Sequence, residues 1–171
     1  MSKGNSGLFP SLSHNTSSSP NNNKPGPTEN KMHSNVKNWA EREKEKLHGK
    51  AKKGFNTACV VYDESTGKHY YGKNAGYKEP GYVKNPILFG DSTHPGLLPK
   101  ESLNKYPIGN CAEVDAINKA LNDGANINNL HMTVIHTTNH QFGSYKESCE
   151  NCNYAFRGKV KINYSGWKEG N

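Results

Sequence analysis

Residues 111–121, with the sequence CAEVDAINKAL, decide how this chain folds. Val114, Ile117 and Leu121 recur at spacings of three and four residues, which places apolar side chains along one stripe of a helix. The Asn-Asp-Gly that follows Leu121 ends such a helix, because glycine adopts the left-handed backbone of a C-terminal cap. The pattern therefore predicts a buried helix that begins next to Cys111.

Strand patterns lie on both sides of this helix. Residues 55–63 (FNTACVVYD) and 68–72 (KHYYG) are joined by a short polar turn that contains glycine, which predicts a β-hairpin. Downstream, residues 131–137 (HMTVIHT) have the composition of a strand, and residues 159–164 (KVKINY) alternate as a half-buried edge strand does. Together with a short helix at 149–156, this order of elements predicts an α/β fold.

The N-terminal part of the chain has a different composition. Residues 1–33 are rich in Ser, Asn, Gly and Pro, and too few apolar side chains are present to offset the entropy of ordering them. We therefore expect a disordered leader or linker there, followed by one domain over residues 34–171. Residues 34–50 carry a helical pattern. Residues 76–107 contain five prolines and predict a long loop, with a helical turn near residues 100–105.

Composition and charge exclude some classes of protein for this chain. Only 32% of the 171 residues are hydrophobic. No stretch reaches the ~18 consecutive apolar residues of a membrane span, so we expect no membrane partner. The first residues also lack the apolar segment of a secretory signal peptide. The net charge is +7, and most of it lies in residues 32–100. A basic surface of this kind fits a polyanionic partner, and it equally fits an ordinary solvated surface.

The chain has four cysteines, at positions 59, 111, 149 and 152. They are too sparse for a disulfide scaffold, which favours metal binding or catalysis. Cys149 and Cys152 form a Cys-x-x-Cys pair at the start of a predicted helix, and this spacing suits Zn²⁺. With Cys111 as a third ligand, one coordination position is left for water, as in catalytic zinc sites. Cys59 lies in an apolar strand and is predicted to be a buried free thiol; as a fourth ligand it would make the site closed and structural.

Glu113 follows Cys111 by two residues and lies in the first turn of the predicted helix. A carboxylate at this position can take a proton from a zinc-bound water and deliver it to a leaving nitrogen. Residues two apart lie about 200° from each other around a helix. Both groups therefore reach one site only if Cys111 caps the helix while Glu113 lies within its first turn.

The Cys-Ala-Glu at 111–113 and the Cys-x-x-Cys at 149–152 together resemble the zinc-dependent cytidine deaminase superfamily, whose pattern is His or Cys, any residue, Glu, and later Pro-Cys-x-x-Cys. The chain looks most like the YwqJ-type deaminases of bacterial polymorphic toxins, over roughly residues 55–165. The resemblance implies a cytidine deaminase-like three-layer fold, with a mixed central sheet and helices on both faces. Ser148 stands where the pattern has proline, and its hydroxyl is expected to cap the helix.

The resemblance also implies roles for single residues. Cys111, Cys149 and Cys152 would be the zinc ligands, and Glu113 would be the catalytic acid and base. Asn74 stands at the end of the second strand, where members of the superfamily bind the substrate; an ordinary turn asparagine is the alternative. His136 ends the strand at 131–137 near the expected site, and we expect it to contact the substrate.

The implied function is hydrolytic deamination of cytosine or adenine in a nucleic acid or nucleotide. In the toxin setting, the domain is the C-terminal part of a secreted polypeptide, acts in the cytoplasm of the target cell and is neutralised by a cognate immunity protein. We expect it to act as a monomer. Tyrosines and lysines interleaved over residues 68–84 could stack on bases and hold phosphates, or they could pack as a polar hairpin.

Two other functions stay open from the sequence. A non-enzymatic, zinc-stabilised binding module would need a fourth protein ligand and no pocket beside Glu113. A thiol redox protein would use Cys149 and Cys152 as its reactive pair, and it would need a proline loop and a strand before that pair. The polar residues 138–147 do not fit such a strand.

Overall fold

The computed structural model describes residues 24–169, which contain five α-helices and four β-strands. The helices are α1 (Pro27–Lys46), α2 (Gly49–Gly54), α3 (Pro86–Phe89), α4 (Ala112–Asn122) and α5 (Glu150–Phe156); the strands are β1 (Thr57–Asp63), β2 (His69–Lys73), β3 (Leu130–His136) and β4 (Ile162–Asn163). No helix in this range is both long and apolar enough to cross a membrane.

The four strands form one mixed sheet in the order β2-β1-β3-β4. Strand β1 pairs antiparallel with both β2 and β3, whereas β3 and β4 are parallel. Thr57 lies opposite His136 at one end of the β1–β3 pair, and Asp63 lies opposite Leu130 at the other. We refer to these as the Thr57 end and the Asp63 end of the sheet. The α/β class predicted from the sequence is confirmed, and so is the mixed sheet.

Helices cover both faces of the sheet because β1 is apolar on both faces. Ala58 and Val60 point toward α1 and pack with its buried side chains in one cluster. Cys59 and Val61 point the other way and pack with α4 and α5 in a second cluster, which also contains Phe156. Alternation along a strand sends neighbouring side chains to opposite faces, so one buried strand supports two layers of helix.

The first helix starts earlier than the sequence predicts. It begins at Pro27, so residues 27–33 belong to the folded part, and the boundary at residue 34 is wrong for them. Proline is favoured in the first turn of a helix because its missing N–H has no partner there. Met32 packs with Val36 against the sheet and is fully buried. Residues 1–23 of the predicted leader lie outside the described residues.

The helical turn predicted near residues 100–105 is also wrong, since that segment is irregular. The Ser102 hydroxyl donates to the backbone oxygen of Tyr106, and the Asn104 side chain accepts from the Tyr106 N–H. Such local bonds from side chain to backbone compete with helix formation. A short helix forms instead at α3, where the Asn85 side chain accepts from the Ile87 N–H and caps the first turn.

Helix α4 lies unusually close to β2. A Cβ added at Gly72 would overlap the backbone of Ala112 and Ala116. Only a residue without a side chain allows this approach. The contact fixes the start of α4, and with it Cys111 and Glu113, against the edge of the sheet.

Candidate metal centre and adjacent cleft

Three cysteine sulfurs converge at the beginnings of two helices. The Sγ atoms of Cys111, Cys149 and Cys152 all lie within 4.8 Å of one another. Cys111 is the N-cap of α4, which meets the condition set by the spacing of Cys111 and Glu113, and Cys149 is the N-cap of α5. Among residues 24–169, these three form the one group of His, Cys, Asp or Glu side chains arranged to hold a metal ion.

The donor set and its spacing fit a metal that prefers sulfur. Zinc–sulfur bonds of about 2.3 Å at tetrahedral angles place two sulfurs about 3.8 Å apart. Cys111 Sγ and Cys149 Sγ are 3.0 Å apart. Two thiolates this close repel each other, so a shared proton or a cation must lie between them. The three side chains can therefore hold a metal ion after a small outward adjustment.

The protonation of the cluster follows from these contacts. The contact with Cys149 raises the pKa of Cys111, whereas the contacts with Cys111 and Cys152 lower the pKa of Cys149. Backbone N–H groups of Cys152 and Asn151 lower the pKa of Cys149 further. These contacts favour the thiolate form of Cys149, and this is the form in which a cysteine binds a metal.

Cys59 does not join the cluster. It is fully buried in the layer between β1 and α4, and burial raises the pKa of its thiol. The predicted free buried thiol is confirmed. No fourth His, Cys, Asp or Glu side chain of the described chain completes the group of three. A metal held there would keep an open coordination position, which distinguishes catalytic from structural zinc sites.

Glu113 lies beside the cysteines in the first turn of α4. Its side chain is nearly inaccessible, at 3% relative exposure, yet it borders a cleft of about 680 Å³ that Cys111 and Cys149 also line. Burial raises the pKa of Glu113 to about 7, and the neighbouring Cys149 adds to the rise. A carboxyl group with a pKa near 7 can both accept and donate a proton at neutral pH.

A lysine and a histidine face this cleft from the Thr57 end of the sheet. Lys146 Nζ donates to Thr57 Oγ1 at 2.6 Å, and both residues line the cleft. His136 lines it as well. Burial, and then the charge of Lys146, lower the pKa of His136, so the imidazole is neutral at pH 7. The predicted substrate contact of His136 therefore has access, and it would be made by a neutral ring.

Asn74 also lines the cleft, but most of its polar atoms already have partners. Its Oδ1 accepts from the N–H groups of Asn56 and Thr57, at 3.0 and 3.1 Å. Its Nδ2 donates to the Gly54 carbonyl at 2.7 Å. These bonds tie the start of β1 to the end of β2. One Nδ2 hydrogen remains for a ligand, and the substrate role of Asn74 stays a prediction.

The interleaved tyrosines and lysines of residues 68–84 do not gather at this cleft. Lys73 forms ion pairs with Glu43 and Glu79 instead. Tyr71 stacks on Trp39 with ring centres 5.5 Å apart, and Tyr70 donates to an aspartate at the Asp63 end of the sheet. Alternation along a strand separates neighbouring side chains onto two faces, which is why the sequence pattern does not form one surface.

Ser148 does not cap α5, contrary to the sequence prediction. The cap residue is Cys149 instead. The buried Ser148 hydroxyl accepts from Asn163 Nδ2 at 3.0 Å, and the Ser148 N–H donates to the Gly166 carbonyl. Ser148 thereby fastens the start of α5 to the segment after β4.

Sequence analysis missed several residues of the cleft. They lie in loops and belong to no motif: Asn104, Lys105, Tyr106, Asn110, Lys146, Glu147 and Lys168. Lys146 and Glu147 could have been suggested only by their closeness in sequence to Cys149, which they precede by three and two residues. The others approach through the irregular segment before α4 and through the C-terminal residues.

Comparison of the chain with family models, with curated proteins and with solved structures gives no match.

Proposed function

We propose that this chain is a zinc-dependent hydrolytic deaminase of a nucleobase, with the cytidine deaminase-like fold that its Cys-Ala-Glu and Cys-x-x-Cys motifs resemble. One observation carries the proposal. A buried carboxylate, Glu113, lies in the first turn of the helix that Cys111 caps, and both residues border the same cleft. The order of strands and helices along the chain and the two helical layers are compatible with that fold.

Cys111, Cys149 and Cys152 would hold the zinc ion. Three thiolates match the preference of zinc for sulfur ligands, and their spacing fits a tetrahedral site with one open position. Zinc bound there would lower the pKa of a coordinated water and so supply a nucleophile at neutral pH.

Glu113 is the proton carrier in this proposal. Water adds to the ring carbon that bears the amino group, C4 of cytosine or C6 of adenine. Glu113 accepts a proton from that water and delivers it to the adjacent ring nitrogen, N3 of cytosine or N1 of adenine. It then carries the proton of the newly added hydroxyl group to the amino nitrogen. The C–N bond then breaks, ammonia leaves, and the ring retains a carbonyl oxygen from the water. The nearly inaccessible position of Glu113 keeps bulk water from exchanging this proton during the transfer.

The other functions considered from the sequence have less support. A closed structural zinc site needs a fourth protein ligand, and residues 24–169 place none of the usual kinds beside the three cysteines. A redox pair at Cys149 and Cys152 does not require Cys111, whose Sγ lies 3.0 Å from Cys149 Sγ. Neither function uses the buried Glu113.

The decisive variant is Glu113→Gln, which keeps the size of the side chain and removes its proton transfer. The measurement is ammonia release, together with a mass increase of about 1 Da per deaminated base, on cytidine, adenosine and oligonucleotides of both sugars. We expect wild-type chain to convert one of these bases, and Glu113→Gln to bind about one zinc per chain while losing at least ~100-fold in rate.

Asp115→Asn is the matched control, because Asp115 is a buried carboxylate on the same helix that lines a different cavity. It should retain deamination. Full activity in Glu113→Gln, or no base converted by zinc-loaded wild type, would refute the proposal.

The bacterial toxin setting and the cognate immunity protein are part of the same proposal, and they rest on the motif resemblance alone. Expression of the chain in bacterial cytoplasm should stop growth, and the Glu113→Gln variant should not. If the wild-type enzyme deaminates its substrate but its expression does not slow growth, the toxin setting is refuted and the deaminase function is not.

A further inference from the structure

We propose that the substrate is a nucleic-acid strand, DNA or RNA, and that Lys50, Lys52 and Lys53 of helix α2 bind its backbone phosphates. We call these three residues the α2 lysine cluster. The inference rests on the proposed deaminase function and narrows its substrate class, from any compound with an amino-bearing base to a phosphodiester-linked strand.

Helix α2 lies at the edge of the cleft. Its last residue is Gly54, whose carbonyl accepts a hydrogen bond from the cleft residue Asn74. Asn56 and Thr57, which follow directly, line the cleft themselves. The α2 lysine cluster is therefore held within a few residues of the cleft that contains Glu113.

Helix α2 contributes no side chain to the core, so packing does not explain why it contains three lysines. None of its residues is buried. Lys50 and Lys53 lie three residues apart on the helix surface, where like charges repel each other. No ion pair within residues 24–169 involves the cluster, although lysines elsewhere, such as Lys73 and Lys161, do pair with carboxylates. An external polyanion would relieve this repulsion.

The cleft itself is lined by charges of both signs, with Glu113, Glu147 and Glu150 beside three lysines. Lys105 and Lys146 line it and have no carboxylate partner within the described chain, whereas Lys168 pairs with Glu150. The α2 lysines and these two unpaired lysines therefore offer cations at separate points, as binding of phosphates spaced along a strand requires. A free nucleoside would reach Glu113 without contacting α2, so the cluster favours a polymer. The target base must leave its stack to enter the cleft.

The test compares two triple variants of the full chain. Lys50→Gln, Lys52→Gln and Lys53→Gln together remove the α2 lysine cluster. Lys68→Gln, Lys159→Gln and Lys161→Gln remove the same charge at the opposite end of the sheet, where Lys68 and Lys161 bond the backbone of Asp63 and Leu130. The control thus keeps net charge equal while leaving the cleft edge intact.

The probes are fluorescein-labelled single strands of about 20 nucleotides, one DNA and one RNA, and binding is followed by anisotropy over a range of salt concentrations. We expect the α2 variant to bind at least one strand at least ~10-fold more weakly at about 0.1 M salt, with the slope of log affinity against log salt reduced by about 2. The control variant should bind as wild type does. Unchanged affinity in the α2 variant, or equal losses in both variants, overturns the proposal. If α2 instead binds an acidic protein or an anionic membrane, the α2 variant should bind both strands with the wild-type affinity.

Binding is measured without turnover, so the two proposals can fail separately. Strand binding through α2 with no conversion of any base refutes the deaminase function and leaves α2 as a phosphate site. Deamination of strands by a variant that lacks the α2 lysines, at the wild-type affinity, refutes this inference and leaves the deaminase function intact.

Discussion

Cys111 Sγ lies 3.0 Å from Cys149 Sγ, although the two cysteines are 38 residues apart and cap different helices. Their meeting requires α4 and α5 to pack in the same layer on one face of the sheet, which they do through Ile117, Cys152 and Phe156. The metal centre is thus a product of core packing. Changes far from the sulfurs should affect it when they move either helix.

The three converging cysteines should be equivalent for metal binding. Replacing any one of Cys111, Cys149 or Cys152 by serine leaves two thiolates, and we expect zinc content to fall from about one ion per chain to a small fraction. Elemental analysis after gel filtration measures this. Cys59→Ala is the control, because Cys59 is buried outside the cluster. Full zinc content in a Cys111→Ser variant would contradict the three-ligand site.

Gly72 should be essential for placing the start of α4. In Gly72→Ala the added methyl group would overlap the backbone of Ala112 and Ala116, which cannot move as a flexible side chain can. We expect the free energy of unfolding to fall by about 1–3 kcal/mol or more, and zinc affinity to fall with it. Denaturant unfolding measures the first and competitive chelation the second.

Gly54→Ala provides the comparison for that variant, because a Cβ at Gly54 has nothing within 4 Å. This substitution should be neutral or slightly stabilising. Equal stability of the two alanine variants would show that the close contact between α4 and β2 is unnecessary.

Asn74 should act mainly through the backbone of β1. In Asn74→Ala, the N–H groups of Asn56 and Thr57 and the carbonyl of Gly54 each lose a partner. We expect a loss of about 1–3 kcal/mol in the free energy of unfolding. Asn153→Ala removes a single bond to a backbone carbonyl and should cost less.

If Asn74 also binds substrate, the KM of the Asn74→Ala variant should rise at temperatures where this variant is fully folded. An unchanged KM would limit Asn74 to its structural role.

Asp115 should make the protein less stable as pH rises. Burial raises the pKa of Asp115 above its ordinary value of 3.8. As pH rises, the unfolded chain therefore ionises this group first, which lowers the free energy of the unfolded state relative to the folded state. The stability contributed by the protonated form is therefore present below 3.8 and is lost as pH rises through the folded pKa. Asparagine has no such ionisation.

Urea unfolding at several pH values, starting near 4, measures the effect on wild type and on Asp115→Asn. The stability advantage of the variant should grow with rising pH. An advantage that shrinks over this range would mean that the ion pair between Lys119 and Asp115 outweighs burial.

Many local elements were predictable because their signals are local. The hairpin, helix α4, strand β3 and the helix after Cys149 all follow from apolar spacing and turn residues, and their observed bounds differ from the expected ones by one or two residues at most ends. The start of α1 was not predictable in this way. Met32 is an isolated apolar residue in a polar segment, and only the sheet it packs against makes its helix favourable.

The amino-acid sequence alone determined which residues could bind a metal and that Cys111 and Cys149 would each begin a helix, since caps and apolar periodicity act over a few neighbouring residues. The tertiary structure decided that Cys111 joins the Cys-x-x-Cys pair while Cys59 stays apart, and that the end of α2 is bonded to the cleft residue Asn74. Those outcomes depend on how the two faces of the sheet are covered and on the backbone contact at Gly72. Contacts between segments distant along the chain have no signature in local spacing.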